Sequence, residues 1–169
     1  AHAVIREGSL RVNGRSETPF EAQQIEGRIA LASFRKPIEI NGQMRVGGGT
    51  VVIEGRVQSL RALTAARSAQ PAEPETLTVK LLGVDLAALR PLLREWAGQE
   101  WVCGGKAEGA FTATVTSLDH LTLKGGVLVT RLTVAATGHR PSPPGDLALM
   151  TDLAYERPSL TITRFDLSA

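Results

Sequence analysis

Polar and apolar positions alternate along most of this chain with a period of two, the signature of strands that bury one face. Ile38, Ile40, Gly42, Met44 and Val46 fall on one side of an extended segment, with Glu39, Asn41, Gln43 and Arg45 on the other. Gly47-Gly48-Gly49 then supplies the positive φ that a tight turn requires. Val51, Ile53, Gly55 and Val57 alternate against Val52, Glu54, Arg56 and Gln58, which completes an antiparallel hairpin. A two-residue turn at Asn41-Gly42 is the rival reading. It leaves two very short arms and an unused triple glycine, so the long strand is preferred.

Upstream, residues 9–12, a turn at Asn13-Gly14 and residues 25–34 read as a short strand, a turn and a longer strand. Downstream the alternation lapses: residues 59–69 are alanine-rich and suit a turn or two of helix, and residues 70–74 form a proline-punctuated loop. Residues 76–82 resume as a strand. Asp85 is placed to cap a helix whose Leu86, Leu89, Leu93 and Trp96 recur at helical spacing, kinked or restarted at Pro91. In the second half Ala107, Gly109, Phe111, Ala113 and Val115 oppose a threonine-rich set, and residues 121–124 and 127–136 form the next pair across a turn at Gly125-Gly126. Residues 138–145 make a second proline loop, matched in place to the first, and the last strands carry Leu147, Leu149, Leu153, Tyr155, Leu160 and Ile162. The expectation is a mainly β chain of about nine or ten antiparallel strands with one short helix.

The two halves resemble each other. Glu26-Gly27, Gly42 with the Gly47-Gly48-Gly49 turn, Leu77-Thr78-Val79 and Asp85-Leu86-Ala87-Ala88 recur in order as Glu108-Gly109, a turn at Gly125-Gly126, Leu160-Thr161-Ile162 and Asp166-Leu167-Ser168-Ala169. The intervals from Gly27 to Gly109 and from Leu77 to Leu160 agree within one residue, as an approximate period requires. The expected organisation is one β-rich unit, residues 1–169, holding two approximate repeats at 24–97 and 106–169, as part of a longer protein. Asp85 and Asp166, the matched pair, are both read as caps at strand-to-helix junctions.

Composition supplies a core: 43% of residues are hydrophobic and 21% charged, which argues against disorder. Formal net charge is only +2 with arginines scattered through the strands, and the aromatic residues lie among apolar neighbours instead of forming a stacking platform for bases. Nucleic acid is therefore not an expected partner. No run approaches the roughly 20 apolar residues of a membrane-spanning helix.

The chemistry-bearing residues point away from catalysis. Gly105-Lys106 lacks both the earlier glycine and the following hydroxyl of a phosphate loop. Ser117, Asp119 and His120 read as a polar loop between strands, and His2, His120 and His139 are too dispersed for a metal site. Glu39 and Glu54 could meet across the hairpin, but on the polar side of a strand they read as solvated surface. Trp96 and Trp101 anchor the helix on the sheet or mark a lipid mouth. Cys103 is a lone cysteine, which gives no internal disulfide. No enzyme activity, no cofactor and no metal is expected.

The run from Ile38 to Val57 and the passage of residues 77–93, where a strand enters Asp-Leu-x-x-Leu-x-Pro-Leu-Leu, give the chain a resemblance to the AsmA-like family of bacterial envelope proteins, with its TamB-type relatives. That resemblance implies a curved β-groove, or open barrel-like trough, with an apolar concave side. It also implies a periplasmic location with an inner-membrane tether outside this sequence, and a noncatalytic role in carrying phospholipid or another acyl-chain lipid in outer-membrane biogenesis, beside other segments of the same groove. Ile29, Leu31, Ile38, Ile40, Met44, Val51 and Ile53 are the groove candidates. A sheet closed on itself as a sandwich or barrel would bury the same residues and leave a structural or protein-interaction domain without lipid.

Overall fold

The computed structural model describes residues 2–12, 19–31, 38–57, 75–91, 101–117, 120–136, 139–156 and 159–169. Nine strands succeed one another: β1 (His2–Val12), β2 (Phe20–Leu31), β3 (Ile38–Val46), β4 (Gly49–Val57), β5 (Glu75–Asp85), β6 (Trp101–Ser117), β7 (His120–Ala136), β8 (Gly145–Glu156) and β9 (Ser159–Ser168). They form one antiparallel sheet in which each strand pairs with its neighbours in sequence, and the sheet is not closed into a barrel.

The β3–β4 hairpin is the one the alternation favours. Val46 pairs with Gly49 across Gly47 and Gly48, at φ +56 and +75, the two-residue turn whose backbone twist matches that of the strands. Asn41-Gly42 lies inside β3, where Gly42 stands opposite Gly27. The short helix is realised as a 3-10 turn at Leu86–Leu89, and Asp85 caps it by accepting a hydrogen bond from the Ala87 amide at 2.9 Å. Residues 59–69 and 70–74, the Asn13-Gly14 turn, Leu93 and Trp96 lie outside the described residues.

Three expectations are corrected. Gly125-Gly126 is not a turn, because β7 runs unbroken from His120 to Ala136 and pairs these glycines with Phe111 and Ala110. A Cβ on Gly125 would fall on the Ala110 carbonyl and one on Gly109 on the Gly126 carbonyl, so glycine serves close backbone approach here. Asp166 caps nothing: it lies within β9 opposite Met150 and accepts from Arg164. The proline stretch at 141–144 joins β7 to β8, whereas the earlier one falls between β4 and β5, so the two do not correspond in place.

The core is small and sits at one end of the strands. Phe20, Ala22, Val46 and Val84 are buried there, with Ile25, Met44, Val51, Leu81, Ala88 and Leu89 packed around them. The 3-10 turn touches β2, β5 and β6. The sheet is curved. The curvature has a visible source: Glu7, Gln24, Gly83, Gly105 and Arg131, all at positive φ, each fall at a break in strand register. Such β-bulges bend the strand and raise its local twist.

Candidate functional site

Pairing register fixes which residues share a face. One row crosses all nine strands: Ile5, Gly27, Gly42, Ile53, Val79, Phe111, Gly125, Thr151 and Phe165 stand in successive opposition. Neighbouring rows on the same side hold Ile29, Ile40, Gly55, Leu77, Ala113, Leu123 and Leu153, then Met44, Val51, Leu81, Gly109, Val127 and Leu149. Apart from Thr151, these rows are apolar from one edge of the sheet to the other. Among the described residues the 3-10 turn is the element packed on it, at the core end.

The opposite face is a lattice of polar cross-strand pairs. Gln43 donates to Glu26 at 2.8 Å, Thr78 and Thr112 share a hydrogen bond at 3.0 Å, and Lys124 meets Asp152 at 3.0 Å. Lys80 reaches Glu54 diagonally at 2.8 Å. Opposed pairs of this kind each contribute about 0.2–1 kcal/mol and hold register. Glu39 and Glu54 do not face each other: Glu39 stands opposite Arg56, and Glu54 opposite Asn41. His120 lies against Glu156 at 3.1 Å, opposite Ser117, and Asp119 falls outside the described residues. Among the described residues no three His, Cys, Asp or Glu side chains come together to hold a metal. Cys103 is half-buried, and burial pushes its thiol up, favouring the protonated form over the thiolate.

Within the apolar face lies a groove of about 190 Å³ spanning β1 to β4. Gly27 and Gly42 form its floor, and Ile5, Ile25, Ile29, Ile40, Met44 and Ile53 stand around them. Because the two glycines lack side chains, the surrounding isoleucines enclose a dimple instead of a flat surface. Of the sequence candidates, Ile29, Ile40, Met44 and Ile53 line it. Val51 shares their face but packs against the core cluster, and Ile38 lies one row beyond Ile40, half-buried. Leu31 stands opposite Ile38, and its side chain is outside the described set. Sequence reasoning misses Ala3, Ile5 and Ile25, and it misses that the apolar face runs on through β5 to β9. A more open recess of about 510 Å³ at the turn end is bordered by Glu21, Gln23 and Arg45, all exposed, and offers no enclosed polar group.

No family model matches the chain, and neither any curated protein nor any solved structure matches it.

Proposed function

We propose that this chain is a noncatalytic lipid-binding or lipid-transfer module of AsmA-like type. It would work in the bacterial periplasm, tethered to the inner membrane, beside further segments of the same groove. The observation that supports this reading is the two-faced sheet: a continuous apolar side on a single open layer, backed by a charged and threonine-rich side. An apolar sheet face left to water carries a large free-energy penalty and must be covered. Acyl chains fit that need, since each buried methylene contributes about 0.8 kcal/mol and requires no directional partner. The glycine-floored groove offers a place where a chain segment is surrounded instead of merely laid on a surface. Head groups would stay at the solvent edge, and release would need no covalent step.

The test is lipid capture. The protein purified under mild conditions and extracted with organic solvent should yield phospholipid or another acyl-chain lipid by mass spectrometry, and a photoreactive residue at Ile40 or Ile53 should crosslink to it. A clean extract together with no lipid adduct at either position overturns the proposal.

A further inference from the structure

The two lateral edges of the sheet differ. The β1–β2 ladder has two register shifts, the first with its extra residue in β1 at Glu7, φ +52, and the second with its extra residue in β2 at Gln24, and a bulge such as that at Glu7 turns an edge away from a would-be neighbour. β9 is ten residues long, contains neither proline nor glycine, and is exposed throughout. Its single register shift falls between Ile162 and Arg164, so residues 164–168 run in regular register. Leu160, Ile162, Phe165 and Leu167 on its apolar side are 58–62% exposed. Among the described residues no strand pairs with its other side, where the backbone N–H and C=O groups form a template for another strand. On the polar side Arg164 donates to Asp166 at 2.6 Å, both side chains more than half exposed.

We propose that β9 is a self-association edge: it pairs antiparallel with β9 of a second copy about a two-fold axis through Phe165, joining two sheets into one. The segment Arg164-Phe165-Asp166 is self-complementary in this arrangement. Antiparallel pairing centred on Phe165 sets Arg164 of each copy opposite Asp166 of the other, and Phe165 opposite Phe165 on the apolar side. Centring on Arg164 instead opposes two arginines, and centring on Asp166 opposes two aspartates, both unfavourable. A slip of one residue sets the apolar face of one strand beside the polar face of the other. Of the centres that keep this segment in the ladder, Phe165 satisfies both face and charge, as an isologous two-fold contact requires. The regular runs of β1, residues 2–5 and 10–12, are shorter than residues 164–168 of β9. The pairing stands whether or not lipid covers the apolar face.

Sedimentation of the full chain over a range of concentrations tests this. A monomer–dimer equilibrium is expected, with Arg164→Asp and Asp166→Arg each weakening it at least about tenfold, because each places like charges opposite one another. The double variant Arg164→Asp/Asp166→Arg exchanges the charges and should restore the parent affinity. Circular dichroism should be unchanged in all three, since both side chains are exposed. A chain that stays monomeric throughout, a dimer indifferent to the single reversals, or a double variant that fails to recover overturns the proposal.

Discussion

Thr151 stands eighth in the row that crosses the sheet, between Gly125 and Phe165, and it is 8% exposed. Its Oγ1 is buried without a hydrogen-bond partner among the described residues. A hydroxyl taken from water and left unpaired costs about 1–3 kcal/mol, whereas an apolar group of the same shape does not. Thr151→Val should therefore raise stability by about 1 kcal/mol in urea unfolding, an uncommon direction for a buried substitution. Unchanged or lowered stability would show that the hydroxyl is satisfied in solution. At this scale the sequence is a partial guide. Periodicity places Thr151 in a strand, but its place in the row is set by pairing with Gly125, a glycine whose spacing reads as a turn.

Among the elements, the 3-10 turn at Leu86–Leu89 adds Ala88 and Leu89 to the core around Phe20, Val46 and Val84. Asp85 sets it in place twice, through its carboxylate to the Ala87 amide and through its own amide to the Gly47 carbonyl at 3.4 Å. Asp85→Ala should lower stability by about 1 kcal/mol, with Asp85→Asn retaining most of the parent value. A loss equal in both variants would assign the effect to charge instead of capping. The strands are legible where their phase is unbroken, as in β3 and β4. Where a bulge inserts a residue the phase slips by one: Ala3 and Ile5 share a face with Leu10 and Val12, and Ile25, Gly27 and Ile29 with Phe20 and Ala22. Alternation across Glu7 or Gln24 therefore looks broken although the strand continues. This is why periodicity reveals β1 only over residues 9–12, and why it hides Ile5 as part of the groove.

For the whole molecule, each strand pairs only with its sequence neighbours, so stability is built step by step across the sheet, as in repeat architectures. The core cluster draws on β2 to β5 and the 3-10 turn, while every residue of β9 is exposed. In dilute solution amide hydrogen exchange should therefore be slowest in β3 and β4 and fastest in β9. Uniform protection across all nine strands would instead indicate one cooperative unit. Around the glycines from which the sequence suggests a repeat, adjacent backbones approach closely, Gly27 opposite Gly42 and Gly109 against the Gly126 carbonyl. The segments around them differ: Gly27 and Gly42 are followed by a glycine turn at Gly47 and Gly48 and by the capped 3-10 turn, whereas β7 runs straight through Gly125-Gly126 and Asp166 lies inside β9.

Placing the whole core at one end leaves the apolar channel asymmetric along the strands. Toward Phe20 and Val84 it meets a wall, and toward Ile38, Leu77 and Leu121 no described element stands across it. Were an acyl chain to lie along the strands as proposed, the cluster of Phe20 and Val84 would stand across one end of its path, and the two ends of the face would meet it differently.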